Sequence, residues 1–177
     1  VGIGGDDVRA VLNSRTSGLW LGTDRGLFQR QAGGVGASLS FASRLDLPVR
    51  ALVEDADGFV WAGTGDSGVV RIHPVSGEVR RWRFTRPGGG ISDDRIASLW
   101  TGAADPGGVW VGSPRGLDRI DRRSGLVERL RIGPEEELWN PHIQAMAAGR
   151  DGRLWLGTSW RGLWVLRLDD RSLKGFQ

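Results

Sequence analysis

The sequence predicts an all-β protein made of four four-stranded antiparallel sheets, the blades of a β-propeller, and three observations lead to this prediction. A short motif recurs four times along the 177 residues. The composition holds 29 Gly and 9 Trp but no Tyr, which indicates many tight turns and one bulky side chain reused at equivalent positions. No segment carries a helical period longer than about one turn.

The recurring motif is Gly, one or two further residues, Trp, an apolar residue, and then Gly-Thr or Gly-Ser. It occurs at Gly18–Thr23, Gly58–Thr64, Gly108–Ser113 and Gly152–Thr158. Its tryptophans, Trp20, Trp61, Trp110 and Trp155, are 41, 49 and 45 residues apart. Propeller blades have about 40–50 residues, so we expect one propeller segment over 1–177, with approximate blades 6–45, 46–90, 91–138 and 139–177.

The second repeat shows how each blade divides into strands. Its predicted strands are Val49–Val53, Val60–Gly63, Gly68–Ile72 and a period-two fourth strand, Glu78–Phe84. Gly- and Asp-containing turns separate them. Third strands are predicted likewise at Gly26–Gln29, Gly116–Ile120 and Gly162–Leu166, a first strand near Val8, and a last strand over Ser172–Gln177.

Such a sheet cannot bury both apolar faces alone, so blades stack face to face. The four aligned tryptophans are therefore predicted to pack between neighbouring blades. The Gly two residues after each Trp allows backbones to approach closely, and the following Thr or Ser can satisfy backbone groups at the strand end. Because an unclosed arc of four blades would expose apolar faces, we expect either a larger ring or closure by self-association, with a homodimer completing an eight-bladed ring.

The repeats resemble the two-component regulator propeller repeat, in which an Asp-x-x-Gly turn precedes Leu-Trp-Ile-Gly-Thr. The likeness is plainest in Val49–Thr64 and Ile143–Leu163, while the first repeat reads Ser14-Arg-Thr-Ser-Gly18 in place of the acidic turn. The resemblance implies the extracytoplasmic sensor of a bacterial receptor upstream of a histidine kinase or diguanylate cyclase. It thereby implies a periplasmic or other extracytoplasmic location, a membrane-anchored parent protein and no catalytic activity.

In a propeller, the loops that enter the first strands and those that join second to third strands gather on one face, the usual place for a ligand. Candidate ligand-binding residues in these loops are Arg9, Arg25, Arg50, Asp66, Asp94, Arg95, Arg115, His142, Trp160 and Arg161. Three of them, Arg25, Arg115 and Arg161, hold equivalent positions and would suit a carboxylate, phosphate or acidic sugar. The alternatives are that these arginines pair with nearby Asp residues, and that Trp160 fills a gap between blades instead of stacking on a ligand.

Three classes of function remain open. The first is a ligand-sensing module for a small anionic or saccharide ligand, and the second is a protein-interaction scaffold. The third is an enzyme resembling the streptogramin lyases, which matches less well because Gly-Thr follows the Trp and no cluster of His with acidic residues repeats. Metal-soak thermal shifts would separate the enzyme from the binding modules.

Composition and motif tests exclude several kinds of chemistry. The absence of Cys excludes disulfides and thiolate sites, and a net charge of +3 is too small to indicate nucleic acid. No apolar stretch approaches the ~18 residues of a membrane span. Asp55–Gly58 favours a turn over a calcium loop, and His73 and His142 lie at different stages of the repeat. We therefore expect no catalytic residues, metal or cofactor.

Overall fold

The computed structural model describes residues 6–30, 40–86, 88–130 and 142–176. These residues form four four-stranded antiparallel sheets in which the strands follow one another in chain order.

Blade 1 contains β1 Val8–Ser14, β2 Gly18–Thr23, β3 Leu27–Arg30 and β4 Phe41–Leu45. Blade 2 contains β5 Val49–Glu54, β6 Val60–Thr64, β7 Val69–Ile72 and β8 Val79–Trp82. Blade 3 contains β9 Ser98–Gly102, β10 Asp105–Ser113, β11 Gly116–Asp121 and β12 Val127–Leu130. Blade 4 contains β13 Ile143–Ala148, β14 Arg153–Thr158, β15 Leu163–Arg167 and β16 Leu173–Phe176. The all-β class and the four four-stranded blades are thus confirmed.

One predicted strand is too long. The period-two pattern extended the fourth strand of blade 2 to Phe84, but β8 ends at Trp82. The N–H of Phe84 donates to the Asp94 carboxylate at 2.7 Å instead of joining the ladder, and Phe84 makes only an isolated parallel bridge to Ile91. The predicted last strand reached Gln177, which lies outside the described residues.

The contact between neighbouring blades repeats three times with the same parts. In each case a β-branched residue at the start of a first strand, or just before it, lies against the Gly two residues after the Trp of the preceding blade. A Cβ added at Gly22 would lie 2.6 Å from Val49 Cγ1, and one added at Gly63 would lie 2.6 Å from Ile96 Cγ2. At Gly112 the added Cβ would lie 2.8 Å from Ile143 Cγ2. Only Gly therefore permits this spacing of the blades.

The aligned tryptophans fill the space beside these contacts. Trp20, Trp61 and Trp110 are fully buried, each in an apolar cluster shared with the next blade. Trp155 departs from the expected burial between blades, because it is only half-buried. Its face of blade 4 packs against no further blade among the described residues, and its ring stacks on Phe176 of the same blade at 6.1 Å between centroids.

The polar end of each buried indole is held by a side chain in the turn before its strand or at the start of that strand. The Nε1–H of Trp61 donates to Asp55 at 2.8 Å, and that of Trp110 donates to Asp105 at 2.9 Å. Asp55 also accepts the backbone N–H groups of Asp57 and Phe59. In blade 1 the Ser17 hydroxyl takes this role for Trp20 at 2.9 Å. The acidic turn is therefore a structural element that satisfies a buried donor.

The hydroxyl after each motif Gly closes the turn between second and third strands. Each side chain donates to the carbonyl of a Gly that lies at the start of the third strand or one residue before it. These bonds join Thr23 to Gly26, Thr64 to Gly68, Ser113 to Gly116 and Thr158 to Gly162, at 2.8 to 3.2 Å. The turns of the loop face are thereby held by their own side chains.

Replacing Trp61 by Ala should lower the free energy of unfolding by about 3–5 kcal/mol, the usual cost of emptying a large aromatic site in a core. The matched control is Trp160→Ala, because Trp160 is 89% exposed and exposed substitutions shift stability by only about 0.5 kcal/mol. Urea unfolding followed by circular dichroism measures both. Equal stabilities for the two variants would contradict the packing described here.

Candidate functional site

The loops that enter the first strands and those that join second to third strands form what we call the loop face. A β-bulge marks the entry to the first strand in three blades. The register shifts at Arg9, between Val8 and Ala10, and at Arg50, between Val49 and Ala51. The third shift falls at Gln144 of blade 4. Such bulges turn one side chain away from the ladder, so Arg9 and Arg50 are directed to the rim of the sheet.

These two arginines line a cavity of about 330 Å³ between blades 1 and 2. The remaining lining residues are Thr23, Asp24, Pro48 and Val49. Of these, Val49 is fully buried and lies against Gly22, so it holds blades 1 and 2 together at this point. The polar residues of the lining are thus two arginines, one threonine and one aspartate.

The two arginines of the cavity differ in their ion pairs. Arg9 forms an exposed ion pair with Asp7 at 2.9 Å. The Asp24 carboxylate accepts the backbone N–H of Asp7 at 3.1 Å, which fixes its position. Arg50 forms no ion pair within the described residues. An incoming carboxylate or phosphate would therefore find one guanidinium whose donors are unused, beside a second one held only by a weak surface pair.

A second group of charges lies at the start of blade 3. Asp93 is largely buried and pairs with Arg95 at 3.0 Å and with Arg115 at 3.5 Å. Burial alone would raise the pKa of Asp93, but hydrogen bonds from Arg95 and the charges of both arginines hold the pKa below its ordinary value. The guanidinium of Arg115 also lies 5.4 Å from the centre of the Phe84 ring. These arginines are already engaged by the protein.

The equivalent arginines do not line the cavity. Arg25 lies 3.3 Å from the buried carboxylate of Asp6, and Arg115 pairs with Asp93, so for these two the pairing alternative is observed. The backbone carbonyl of Arg161 accepts the indole N–H of Trp164 at 2.9 Å. The arginines that line the cavity are Arg9 and Arg50. Each is the second residue of the first strand of its blade.

Two further candidates have local partners. Asp66 accepts the hydroxyl of its neighbour Ser67 at 2.8 Å. Asp94 accepts the backbone N–H of Phe84 and an N–H of Arg83, so it ties the end of blade 2 to the entry of blade 3. The geometry therefore gives Asp94 a role in holding the loop.

The loop face of blade 4 carries an aromatic pair. Trp160 is 89% exposed, and its ring centre lies 5.8 Å from that of His142. Both residues have positive φ, 68° and 45°, a conformation that is costly without Gly and persists only where the surroundings enforce it. The amide of Gln144 contacts His142 at 3.2 Å and donates to the Ser159 hydroxyl at 3.2 Å, which braces the pair. Trp160 thus lies at the surface and does not fill a gap between blades.

Sequence reasoning missed one buried acid. Asp118 of β11 is fully buried and accepts the backbone N–H and the hydroxyl of Ser92 at 2.7 and 2.6 Å. Burial raises the pKa of Asp118 above its ordinary value, outweighing the hydrogen bonds from Ser92 and the charge of Arg129, which act in the opposite direction. The Asp118 side chain holds the loop 92–95. Nothing in the repeat pattern predicted that contact.

Within the described ranges, no three His, Cys, Asp or Glu side chains are grouped so that they could hold a metal ion. The same ranges contain no helix that is long and apolar enough to cross a membrane.

The fold and the loop face define a segment of a β-propeller with its candidate site above the joints between blades. Residues 43–66 and 137–160 match the family model of the two component regulator propeller. The resemblance stated above is thus confirmed for these two stretches of the chain. No match is found among curated proteins.

Solved structures of similar fold include two kinds of protein. The extracellular domain of a putative hybrid two component system from B. thetaiotaomicron is 17% identical, with a TM-score of 0.77 over 100% of this chain and 26% of that one. A second such domain from the same organism, also 17% identical, has a TM-score of 0.63 over 99% of this chain and 28% of that one. A catalytically inactive virginiamycin B lyase from Staphylococcus aureus, determined with quinupristin, is 15% identical, with a TM-score of 0.71 over 96% of this chain and 55% of that one. This chain thus spans about a quarter of the length of the extracellular domains.

Replacing Asp118 by Asn should flatten the pH dependence of stability. Between the ordinary Asp pKa of 3.8 and the raised pKa of the folded protein, the folded chain keeps a proton that the unfolded chain has released. Stability is therefore lost as the pH rises through this window, and the Asn variant, which stays neutral, lacks that loss. The free energy of unfolding of Asp118→Asn minus that of the wild type should rise from pH 4 upward and then level off.

Urea titrations at a series of pH values measure this difference. The control is Asp66→Asn, which replaces an exposed carboxylate of the loop face. A difference between Asp118→Asn and the wild type that stays constant across the series would refute the assignment.

Proposed function

We propose that this chain is a non-catalytic, ligand-sensing part of a propeller in the extracytoplasmic region of a bacterial signalling receptor. Its ligand is a small anion, a carboxylate or an acidic sugar, bound in the cavity of Arg9 and Arg50. The observation that carries the proposal is the pair of guanidiniums directed to the rim by equivalent bulges, with Arg50 unpaired within the described residues.

The cavity favours a small ligand over a protein partner. Its volume of about 330 Å³ is near the lower end of the range for ligand pockets. A guanidinium fork matches the planar oxygens of a carboxylate. A protein-interaction scaffold would instead use a broad surface, for which the loop face offers one large exposed apolar residue among those described, Trp160.

The aromatic pair supports an extended, sugar-like ligand. An exposed indole offers a flat apolar face, and sugars present such faces through their C–H groups. Trp160 and His142 both have positive φ values. This conformation costs free energy and persists only where the surrounding structure enforces it. A saccharide with acidic groups would use both the aromatic face and the arginines.

The signalling role is supported by the repeat family and by the extracellular domains of similar fold. The lyase shares the fold at 15% identity, and a likeness of fold alone does not carry an activity. The enzyme therefore stays the weaker alternative, testable by measuring turnover of quinupristin, the compound present in the lyase structure.

Isothermal titration calorimetry with galacturonate oligomers, and with neutral glucose oligomers of equal length, tests the proposed ligand class. Arg50→Gln should weaken binding of the acidic oligomers about 10- to 100-fold, because a charge-assisted hydrogen bond contributes about 1.5–3 kcal/mol. Arg123→Gln is the matched control, since Arg123 lies exposed in a turn on the opposite face. Acidic and neutral oligomers binding equally well, or Arg50→Gln and Arg123→Gln behaving alike, would contradict the site.

A further inference from the structure

The hairpin that joins the first and second strands of blade 3 differs from its equivalents in the other blades. Trp100 of β9 pairs with Trp110, which lies ten positions further along the chain. In the other three blades the residue that pairs with the motif Trp lies only eight positions before it. These pairs are Leu12 with Trp20, Val53 with Trp61 and Ala147 with Trp155. Blade 3 therefore has two additional residues in the hairpin and a large aromatic ring where the others have Leu, Val or Ala.

Trp100 lines a groove of about 550 Å³, which we call the hairpin groove, on the face opposite the loop face. Its volume lies within the usual range of ligand pockets. The lining includes Gly102, Ala103 and Ala104 of the blade 3 hairpin, and Gly149 and Arg150 of the blade 4 hairpin. Blades 3 and 4 supply both walls, so no further blade is needed to form this groove.

The indole of Trp100 is half-buried and fixed in position. It packs against the apolar cluster that contains Trp110 and Leu154. Gly102 makes room for the ring, because a Cβ added there would lie 2.7 Å from Cζ2 and 3.4 Å from Cε2 of the indole. The indole nitrogen is bonded to Cε2, so the N–H lies on the side of the ring next to Gly102. This N–H makes no hydrogen bond within the described residues.

The longer hairpin of blade 3 is held in place by polar contacts. The largely buried carboxylate of Asp105 accepts two N–H groups of Arg119 at 2.6 and 2.8 Å, and the indole N–H of Trp110 at 2.9 Å. The backbone N–H of Arg122 donates to the Gly107 carbonyl at 2.9 Å. The walls of the hairpin groove are therefore pre-organised, which lowers the entropic cost of binding a ligand.

Two hydrogen-bond donors of the hairpin groove remain available to a ligand. One is the indole N–H of Trp100, and the other is the guanidinium of Arg150. Arg150 forms no ion pair in the part of the chain that the structure describes, and its neighbour Asp151 pairs with Arg153 at 3.3 Å. Both groups donate only, and one is a cation, so the polar end of a matching ligand is an acceptor with negative charge.

The other lining residues favour a ligand with few polar atoms. The Thr101 hydroxyl donates to the Gly108 carbonyl at 3.4 Å. Apart from Trp100, Thr101 and Arg150, the described lining consists of Gly and Ala. A sugar ring carries several hydroxyl groups, each of which needs both donors and acceptors. A flat apolar ring with a single carboxylate matches these side chains better.

We propose that the hairpin groove binds an aromatic carboxylate. Its ring lies against the indole of Trp100, since aromatic rings attract each other in offset-stacked or edge-to-face arrangements. Its carboxylate accepts charge-assisted hydrogen bonds from Arg150 and a hydrogen bond from the Trp100 N–H. The hairpin groove and the cavity of Arg9 and Arg50 lie on opposite faces, so this proposal is independent of the proposed function.

Titration with phenylacetate, followed in ¹H–¹⁵N spectra of the indole N–H groups, tests the site. The signal of Trp100, identified by its loss in Trp100→Leu, should shift, whereas the signal of Trp160 on the loop face should stay in place. 2-Phenylethanol, which lacks the carboxylate, should bind about tenfold more weakly. Cyclohexylacetate, which lacks the flat ring, should bind about threefold more weakly.

Two variants test the residues that carry the proposal. Arg150→Gln should weaken phenylacetate binding about tenfold, whereas Arg123→Gln, which removes an exposed arginine from a turn on the same face, should leave it unchanged. Trp100→Leu introduces the residue that blade 1 has at this position, so it should fold normally by circular dichroism and no longer bind phenylacetate.

Arg150→Gln keeps the proposal testable even if Trp100→Leu does not fold, because Arg150 is exposed. An unmoved Trp100 signal, equal binding of phenylacetate and 2-phenylethanol, or equal binding by Arg150→Gln and Arg123→Gln would each overturn the inference.

Discussion

The contact between a β-branched residue and a bare glycine sets the spacing of the blades, and the other features follow from that spacing. With 2.6 Å between Val49 Cγ1 and the position of a Cβ on Gly22, no larger residue fits without moving one blade. The buried Trp beside each such glycine fills the remaining space. In blade 2 the residue after the buried Val49 is Arg50, which lies at a β-bulge. The packing of blades 1 and 2 and the candidate site therefore adjoin in the same strand.

Buried carboxylates mostly serve the packing and not the candidate site. Asp55 and Asp105 satisfy the indoles of Trp61 and Trp110, and Asp118 holds the loop 92–95. Asp93 sits beneath two arginines, which neutralises part of the positive charge of the loop face. What is left is a positive region above the joint of blades 1 and 2, where Arg50 has no acidic partner within the described residues.

The sequence predicted which face of the propeller carries the candidate site, but it did not predict which residues of that face line the cavity. Loop positions follow from the repeat, so the face that carries Arg9, Arg50, His142 and Trp160 could be named from the sequence. Which arginine is engaged by an acid depends on distances between loops that the repeat does not encode. Arg25 finds Asp6 at 3.3 Å, while Arg50 in an equally Asp-rich sequence finds none among the described residues. The alternation of polar and apolar residues also did not predict the β-bulges at Arg9 and Arg50.

The sequence by itself determined the number of blades, the course of the chain through each blade and the role of the motif glycines. These depend on local patterns, a Trp and a Gly two residues apart, that repeat with the blade. Only the tertiary structure decided how far residues at the same position of different repeats differ in burial and in contacts. Trp155 occupies the same motif position as Trp61, yet it is half-buried because its face meets no further blade among the described residues. Burial is a property of two surfaces in contact, and a single repeat specifies only one of them.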